Sequence, residues 1–137
     1  MIKILKMTDY ALSITLFIIK NNKPYSAVEI SNDLNLPLPA VSKILKILTK
    51  NNILTSQRGR EGGYYVDRKP DLISIGEIIE AFEGPISITE CSSDLKNNEC
   101  RVLNHCLTSK GLIKINNVIK DALFKIKLDT LLEEGKP

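Results

Sequence analysis

The stretch SAVEISNDLNLPLPAVSKILKILTKNNILTSQRGREGGYYV, residues 26–66, decides the fold class. It opens with Ser26 and Glu29 at the spacing of a capping box, in which each side chain bonds the other residue's backbone N–H and so begins a helix. The apolar residues that predict the buried face of this short helix are Val28, Ile30 and Leu34. The sequence NLP at 35–37 predicts where that helix ends.

A second, basic helix is predicted over residues 39–51, with Pro39 in its first turn. The apolar residues that recur at helical spacing, and should face inward, are Val41, Ile44, Leu45 and Leu48. The polar residues of its other side, among which there is no acid, are Ser42, Lys43, Lys46, Thr49 and Lys50. Two short helices of this kind are typical of a helix-turn-helix, whose second helix reads the major groove of DNA. On this helix alone, a solvated lysine face on an ordinary helix is an equal alternative.

The segment after the basic helix favours DNA binding. Residues 53–56 and 64–66 have the pattern of two short strands, and QRGREGG at 57–63 lies between them with three glycines and two arginines. Glycines supply the backbone conformations of a hairpin turn, so Arg58 and Arg60 should project from its tip. A hairpin after a recognition helix is a wing, and wing arginines enter the minor groove or bind phosphate. The predicted fold class is mainly α with a small β-hairpin, a winged helix-turn-helix domain plus a long C-terminal dimerisation helix.

Two further helices complete the predicted DNA-binding domain, residues 1–83. The first covers residues 8–21, with Thr8 as its N-cap and Asp9 near the positive end of the helix. The other begins at a second capping box, Ser74 and Glu77, and reaches about Phe82. We predict a cysteine-containing loop over residues 84–107 after it.

The last long helix is predicted over residues 108–128, followed by a flexible tail, 129–137. Its heptad-like apolar seam consists of Leu112, Ile115, Ile119, Ala122 and Ile126. Because a small domain has little core left to cover such a helix, we expect it to pack on its copy in a homodimer. The alternative is a helix that folds back on its own domain.

Composition and charge limit the class of protein. The chain of 137 residues has the size of one domain. Residues 1–70 carry eleven Lys and Arg against five Asp and Glu, whereas residues 71–137 carry eight against eleven. The basic half favours a polyanion partner, although ordinary surface scatter would explain the charges too. The sequence has no phosphate-binding glycine loop, a single histidine and no apolar run that spans a membrane, so we expect a cytoplasmic protein that is not an enzyme and has no small-molecule substrate.

All three cysteines lie in one polar stretch, CSSDLKNNECRVLNHC at residues 91–106. An odd number cannot close into intramolecular disulfides alone, and clustered cysteines in a reducing compartment more often bind metal or sense redox state. Three thiolates can hold three corners of an iron–sulfur cluster. A zinc site of Cys91, Cys100, Cys106 and His105 and a metal-free thiol switch are the alternatives.

The chain resembles the Rrf-two family of winged-helix transcription regulators, which includes the cluster-sensing regulators IscR and NsrR. The matching pieces run from about residue 3 to 127 and are KMTDYAL, LPLPAVSKILKIL, RGREGGYYV, ISIGEIIEAFEGPISITEC and the three-cysteine stretch. EAFEGPISITEC, LPLPAVSK and KINNVIKDAL look most like the subgroup that regulates the SUF iron–sulfur assembly operon. The resemblance implies a homodimer with crossed long helices, two winged heads on a palindromic double-stranded DNA operator, and one cluster per subunit.

The resemblance also bears on the cluster's ligands. It implies a [2Fe-2S] or [4Fe-4S] cluster on Cys91, Cys100 and Cys106. For the fourth ligand, the TD motif of nitric-oxide-sensing relatives implies Asp9 from the partner subunit. In the alternative reading, Asp9 is not a ligand and its charge only interacts with the positive end of the helix. His105 is the local candidate; Glu90 and Glu99 are weaker ones. The first cysteine spacing is wider than in some cluster-binding relatives, although the second matches, and the tryptophan that the subgroup often has soon after the third cysteine is absent.

These expectations combine into one function. The chain should be a transcription regulator that acts as a repressor, whose operator affinity is controlled by the cluster and whose targets are iron–sulfur assembly or stress genes. The cluster-free alternative is a thiol-redox or zinc-containing winged-helix regulator. The sequence leaves open whether the cluster-bound or the cluster-free form binds DNA.

Overall fold

The computed structural model describes residues 2–92 and 100–135, and within them the fold is mainly α-helical with one small hairpin. The helices are α1 Lys6–Asn21, α2 Ala27–Leu34, α3 Leu38–Lys50, α4 Ile75–Glu83, α5 Ser109–Lys125 and α6 Leu128–Glu134. The strands β1 Thr55–Gln57 and β2 Gly63–Tyr65 pair antiparallel. Short 3-10 turns lie at Pro70–Leu72, Glu90–Ser92 and Leu103–His105. A mainly α fold with a small β-hairpin is therefore confirmed, whereas dimerisation through the last long helix stays a prediction.

The core of the N-terminal head, residues 1–83, is almost entirely aliphatic, as a chain with no Trp and few aromatics requires. The fully buried large side chains of α1 to α4 and the segment before α4 are Ile14, Ile18, Ile30, Val41, Ile44, Leu45, Leu48, Ile73 and Ile78. Phe17 and Tyr25 add a tilted ring pair with centroids 4.8 Å apart. Ile53 and Leu54, predicted as the start of a strand, are instead buried core residues just before β1.

The start of α1 differs from the prediction. The helix begins at Lys6 with Leu5 as its N-cap residue, so the prediction that Thr8 caps the helix is wrong. Thr8 is fully buried inside α1, and its hydroxyl donates to Glu83 Oε1 over 2.6 Å. The same carboxylate accepts from the Leu5 backbone N–H at 2.9 Å. A side chain at the end of α4 thus satisfies donors at the start of α1.

Both predicted capping boxes are present. The Ser26 backbone N–H donates to Glu29 over 2.7 Å and the Glu29 N–H donates to the Ser26 hydroxyl over 3.2 Å; Ser74 and Glu77 repeat this arrangement at the same distances. The buried face of α2 was predicted less well. Ile30 is fully buried, but Val28 is 54% exposed, because a helix of eight residues makes only about two turns and brings few side chains onto the core.

The end of the chain also differs from the prediction. The helix predicted to run to residue 128 ends at Lys125, because the Ile126 carbonyl accepts from the Ile75 N–H and the Leu128 N–H donates to the Ile73 carbonyl, each at 3.0 Å. Residues 128–134 then form α6 with Leu128 fully buried, so this part of the predicted flexible tail is helical, whereas 136–137 lie outside the described residues. None of the described helices is both long enough and apolar enough to cross a membrane.

Candidate nucleic-acid interface and cysteine site

The two faces of α3 are sharply different. Val41, Ile44, Leu45 and Leu48 have no exposed surface, as the sequence predicted. The other face carries Lys43, Lys46 and Lys50 in exposed positions, with Ser42 and Thr49 half-buried. The Thr49 hydroxyl donates back to the Leu45 carbonyl over 2.8 Å, which removes it as a donor to a ligand. The helix therefore presents lysines outward from a rigid apolar support.

The turn between α2 and α3 is fixed by local hydrogen bonds. Asn35 ends α2 in the left-handed conformation with φ 51°, which asparagine tolerates better than most residues. The Leu36 N–H donates to the Ser31 carbonyl at 3.0 Å, and the Ser31 hydroxyl donates to the Leu36 carbonyl at 2.7 Å. These bonds hold the relative direction of the two helices of the helix-turn-helix.

The hairpin has the wing geometry that its glycines predicted. Ser56 pairs with Tyr64, and Tyr64 also bonds Tyr25 from the loop before α2, through N–H to carbonyl distances of 2.7 and 3.0 Å. Gly63 has φ 145°, and a Cβ there would lie 2.6 Å from the Tyr25 backbone, so only glycine permits this approach. Arg58 and Arg60 are exposed in the loop between the strands.

The basic side chains of α3 and the wing are not neutralised by neighbours. Among the described residues, none of Lys43, Lys46, Lys50, Arg58 and Arg60 forms an ion pair. Arg68, by contrast, pairs with Glu77 at 2.9 Å and donates to the Leu72 carbonyl at 2.7 Å, so it fixes the chain that follows the wing. Uncompensated cations on exposed positions are what a phosphate backbone attracts.

Cys91 lies in a short segment that is bonded to α5. It is half-buried within the turn Glu90–Ser92, and its Sγ lies 3.3 Å from the Thr89 hydroxyl. The Thr89 N–H donates to the Ser92 hydroxyl over 3.1 Å. From α5, the Asn116 amide bonds the backbone of Ile86, Ile88 and Ser92.

Cys100 and Cys106 lie at the two ends of a separate short turn. The Leu103 N–H donates to the Cys100 carbonyl over 3.1 Å, and the Cys106 N–H to the Leu103 carbonyl over 3.4 Å. Cys106 Sγ lies 3.4 Å from the Thr108 hydroxyl, immediately before α5. Hydrogen bonds from the side chain and the backbone of Thr108, and from those of Ser109, hold the pKa of the Cys106 thiol below its ordinary value. This site favours the thiolate, the form that binds metals and reacts with oxidants.

The donor chemistry fits an iron–sulfur cluster, whereas the described geometry contains no assembled site. Across residues 2–92 and 100–135, no group of three or more Cys, His, Asp and Glu side chains lies close enough to hold a metal ion. Asp9 is exposed in α1, and His105 is exposed in the turn beside Cys106. Glu99, one of the weaker candidates, lies outside the described residues. A single copy of the described chain therefore supplies the ligand types without bringing them together.

The predicted dimer seam of α5 divides between two sides of the helix. Ile115 and Ala122 are exposed, as is Val118 between them at 68%. Leu112 and Ile119 are half-buried, and Ile119 lines a groove with Ile4, Ile79 and Leu123 of the same chain. Ile126 is 39% exposed just after the helix ends. Within one chain, an apolar strip of α5 is left uncovered.

Sequence reasoning missed two polar side chains that organise the site, Asn116 and Glu83. Asn116 is only 3% exposed in the middle of an amphipathic helix, and a polar residue at an inward position was the available signal. Glu83 ties α4 to the start of α1, beside the predicted ligand Asp9. No local pattern marks that role, since its partners lie more than seventy residues away along the chain.

Comparison with known proteins agrees with this geometry. The family model Rrf2, described as an iron-dependent transcriptional regulator, matches residues 4–134. The HTH-type transcriptional regulator NsrR of Bacillus licheniformis is 28% identical over 123 residues, which are 88% of this chain and 80% of that protein. The HTH-type transcriptional regulator IscR of Pectobacterium atrosepticum is 28% identical over 109 residues, 80% of this chain but only 65% of that protein.

Solved structures show the same fold. The structure of CymR, the global cysteine regulator of B. subtilis, matches with a TM-score of 0.80 and 28% identity over 99% of this chain and 100% of that one. Together with the amphipathic α3, the paired wing and the near-complete family match, this establishes the class of the protein. The chain belongs to the Rrf2 family (the Rrf-two family of the resemblance above), and it is a winged-helix DNA-binding transcription regulator rather than an enzyme.

Proposed function

We propose that two copies of this chain bind a palindromic DNA operator, with α3 in the major groove and the wing tip against the minor groove or the phosphates. The observation that carries this proposal is the outer face of α3, where Lys43, Lys46 and Lys50 are exposed and no acid is present. Together with Ser42, Arg58 and Arg60, these residues would make the contacts. Lysine and arginine bind phosphate by charge, and groove contacts add base discrimination.

Selection from a random duplex DNA library tests this proposal, followed by titration of the enriched sequence at several salt concentrations. We expect an enriched palindrome whose association constant falls steeply between about 50 and 200 mM salt. A protein that enriches no sequence, or whose affinity does not respond to salt, would contradict it.

The homodimer is part of the proposal. Ile115 and Val118, at 51% and 68% exposure, form an apolar surface with Ala122 that a single chain leaves open to water. Burying such surface is favourable by about 25 cal/mol per Å². Leu112, Ile119 and Ile126, partly exposed beside this strip, would lie at its margin. Sedimentation at micromolar concentration should give twice the mass of the chain.

For the cysteines, we infer that Cys91, Cys100 and Cys106 hold one [2Fe-2S] or [4Fe-4S] cluster per subunit. Support comes from three thiols in one stretch, from the lowered pKa of Cys106, and from the NsrR and IscR names of the relatives. The cluster would supply the sensing chemistry and these side chains would hold it. Asp9 of the partner subunit or His105 would provide the remaining ligand.

The cluster would control operator affinity, because its three cysteine ligands lie along the chain between the head and α5. Repression of iron–sulfur assembly or stress genes is the function that fits such control. Iron, sulfide and zinc content with a visible absorption spectrum, on protein purified without oxygen, tests the inference. Near-stoichiometric iron and sulfide are expected; their absence after attempted reconstitution would overturn it.

A cluster-free regulator is the second candidate, and one observation favours it. Cys106 is a half-exposed thiol whose pKa is lowered by hydrogen bonds from Thr108 and Ser109, as the pKa of a reactive cysteine is. In that case the thiol itself would be oxidised, or zinc would be bound. Zinc in the metal analysis, or operator affinity that changes with peroxide in metal-free protein, would identify this candidate.

A further inference from the structure

The most deeply buried side-chain amide in the described part of α5 belongs to Asn116, which is 3% exposed. Asparagine is a poor helix former, and a buried amide is costly unless its hydrogen bonds are made. Here they are made outside the helix. Oδ1 accepts from the Ile88 N–H over 2.9 Å, and Nδ2 donates to the carbonyls of Ile86 and Ser92 over 3.3 and 3.4 Å. All three partners are backbone groups of one segment, residues 86–92.

A second contact on the same side of α5 supports the first. Lys120, one turn after Asn116, pairs with Glu80 of α4 over 3.4 Å. The same Glu80 oxygen accepts from the Ile86 N–H over 3.2 Å. Residues 86–92 are thus held against α4 and α5 by polar bonds at two successive turns, and they contain only the short turn Glu90–Ser92 as regular structure.

The other side of α5 carries the exposed apolar residues Ile115 and Val118. Because residues four apart share a helix face, Asn116 and Lys120 lie together, at an angle to the row formed by residues 115, 118 and 122. One helix therefore holds residues 86–92, called the Cys91 segment below, on one side and presents the proposed dimer surface on another. Cys91 lies one residue before Ser92, whose carbonyl Asn116 binds.

We propose that Asn116 is the positioning residue that holds the Cys91 segment on α5 and through which a change at Cys91 reaches that helix. A displacement of residues 86–92 must break or move three bonds to a single side chain near the middle of α5. The positioning role stands on these bonds alone. The transmission to α5, and from there to the spacing of two heads, rests on the proposed function.

Asn116→Ala tests the positioning role, with Asn117→Ala as the matched control at the exposed neighbouring position. Alanine is the better helix former, so α5 itself is not weakened. In metal-free, reduced protein, we expect iodoacetamide to alkylate Cys91 about tenfold faster in Asn116→Ala, the change that losing about 1.4 kcal/mol of restraint gives. The rate at Cys106, followed by mass spectrometry in the same sample, should stay constant.

Asn116→Asp provides a second variant, because the carboxylate keeps the acceptor for the Ile88 N–H but replaces both donors by an oxygen that the Ile86 and Ser92 carbonyls repel. Its Cys91 rate should be at least as high as that of Asn116→Ala, with circular dichroism confirming that both variants are folded. Equal Cys91 rates in wild type, Asn116→Ala and Asn116→Asp would overturn the positioning role, as would an equal rise in Asn117→Ala.

Operator affinity with and without iron tests the transmission. We expect the wild type to show a difference between the two states and Asn116→Ala to lose most of it. If the variant keeps the full difference while Cys91 reacts faster, transmission through Asn116 is wrong. If the wild type itself shows no difference, the proposed cluster control fails, and the alkylation rates still decide the positioning role.

Discussion

The winged-helix head and the cysteine segment, residues 84–107, are held in place by different forces. The head has a contiguous core of fully buried aliphatic side chains, and two capping boxes begin its helices α2 and α4. The described part of the cysteine segment contributes no buried side chain, and its Val102 is 60% exposed. Its restraints are hydrogen bonds to Asn116 and Glu80. Regions with few buried apolar contacts open at lower free energy than a core does.

This difference suggests how one chain can be both a stable DNA reader and a sensor. The lysine-bearing face of α3 is supported by the fully buried Val41, Ile44, Leu45 and Leu48, so its shape is set by the core. The cysteine segment has mainly polar restraints, so the proposed cluster, or oxidation in the cluster-free alternative, would move it at small energetic cost. The predictions that follow separate the two regions, starting with the largest expected effect.

Cys100→Ala should abolish iron and sulfide binding, because two remaining thiolates cannot hold the three corners of a cluster. The thermal unfolding of the head should be unchanged, since Cys100 lies outside the core. Metal analysis and calorimetry of the reconstituted protein measure the two effects. Asn104→Ala, an exposed change in the same segment, is the control and should retain the metal. A fully loaded cluster in Cys100→Ala would contradict the assignment.

Leu45→Ala should destabilise the head by about 2–5 kcal/mol, because it opens a cavity at a position with no exposed surface. The adjacent Lys46→Ala should change the free energy of unfolding by no more than about 0.5 kcal/mol. Urea titration followed by circular dichroism measures both. Similar values for the two variants would mean that the inward and outward faces of α3 are assigned incorrectly.

Arg58→Ala should weaken operator binding by about 1 kcal/mol or more and alter the preference for A/T-rich flanks. Lys43→Ala should lower affinity and reduce the slope of log K against log salt by about 1. Fluorescence anisotropy with the selected operator measures both effects. Lys125→Ala, an exposed basic residue at the end of α5, serves as the charge-matched control. If operator affinity is unchanged in both Arg58→Ala and Lys43→Ala, the wing and α3 are not part of the interface.

Glu77→Gln should have the smallest effect, confined to the pH dependence of stability. Burial acts to raise the pKa of Glu77, but hydrogen bonds from Ser74 and Arg68 outweigh it and lower the pKa. The folded state therefore binds protons less readily than the unfolded chain. The resulting stabilisation, below about 1 kcal/mol for a part-exposed pair, is present above about pH 4.3 and lost as the pH falls through the folded value.

Unfolding curves of the wild type and Glu77→Gln between neutral and acidic pH measure the stabilisation by the Glu77 carboxylate. The difference in stability between the two proteins should shrink as the pH falls. A difference that stays constant, or grows in acid, would show that the Glu77 carboxylate is not held by these bonds in the folded state.

Local patterns predicted much of the head and little of the segment. The capping boxes, the inward face of α3 and the glycine-rich wing each depend on neighbours within a few residues, and all three are present. Thr8 and Val28 were assigned wrongly, because their burial depends on the packing of α4 and the brevity of α2. Nothing local marks the end of α5 at Lys125, which is set by backbone bonds to Ile73 and Ile75.

The candidate site divides in the same way. Lys43, Lys46, Arg58 and the other basic residues lie where helix and hairpin periodicity place them. Bringing the cysteines together requires contacts between distant parts of the chain or a bound group. The family resemblance identified the ligand residues but not their arrangement in space. The role of Asn116 depends on the contact between α5 and the Cys91 segment, which no local pattern predicts.

Operator affinity of one anaerobic preparation, measured before and after a chelator removes its iron, tests the central claim most directly. Cluster control predicts that the dissociation constant changes by about tenfold or more, equivalent to about 1.4 kcal/mol, with the secondary structure of the head unchanged. Equal affinity in the two states, in a preparation shown to contain iron before chelation, would contradict the account.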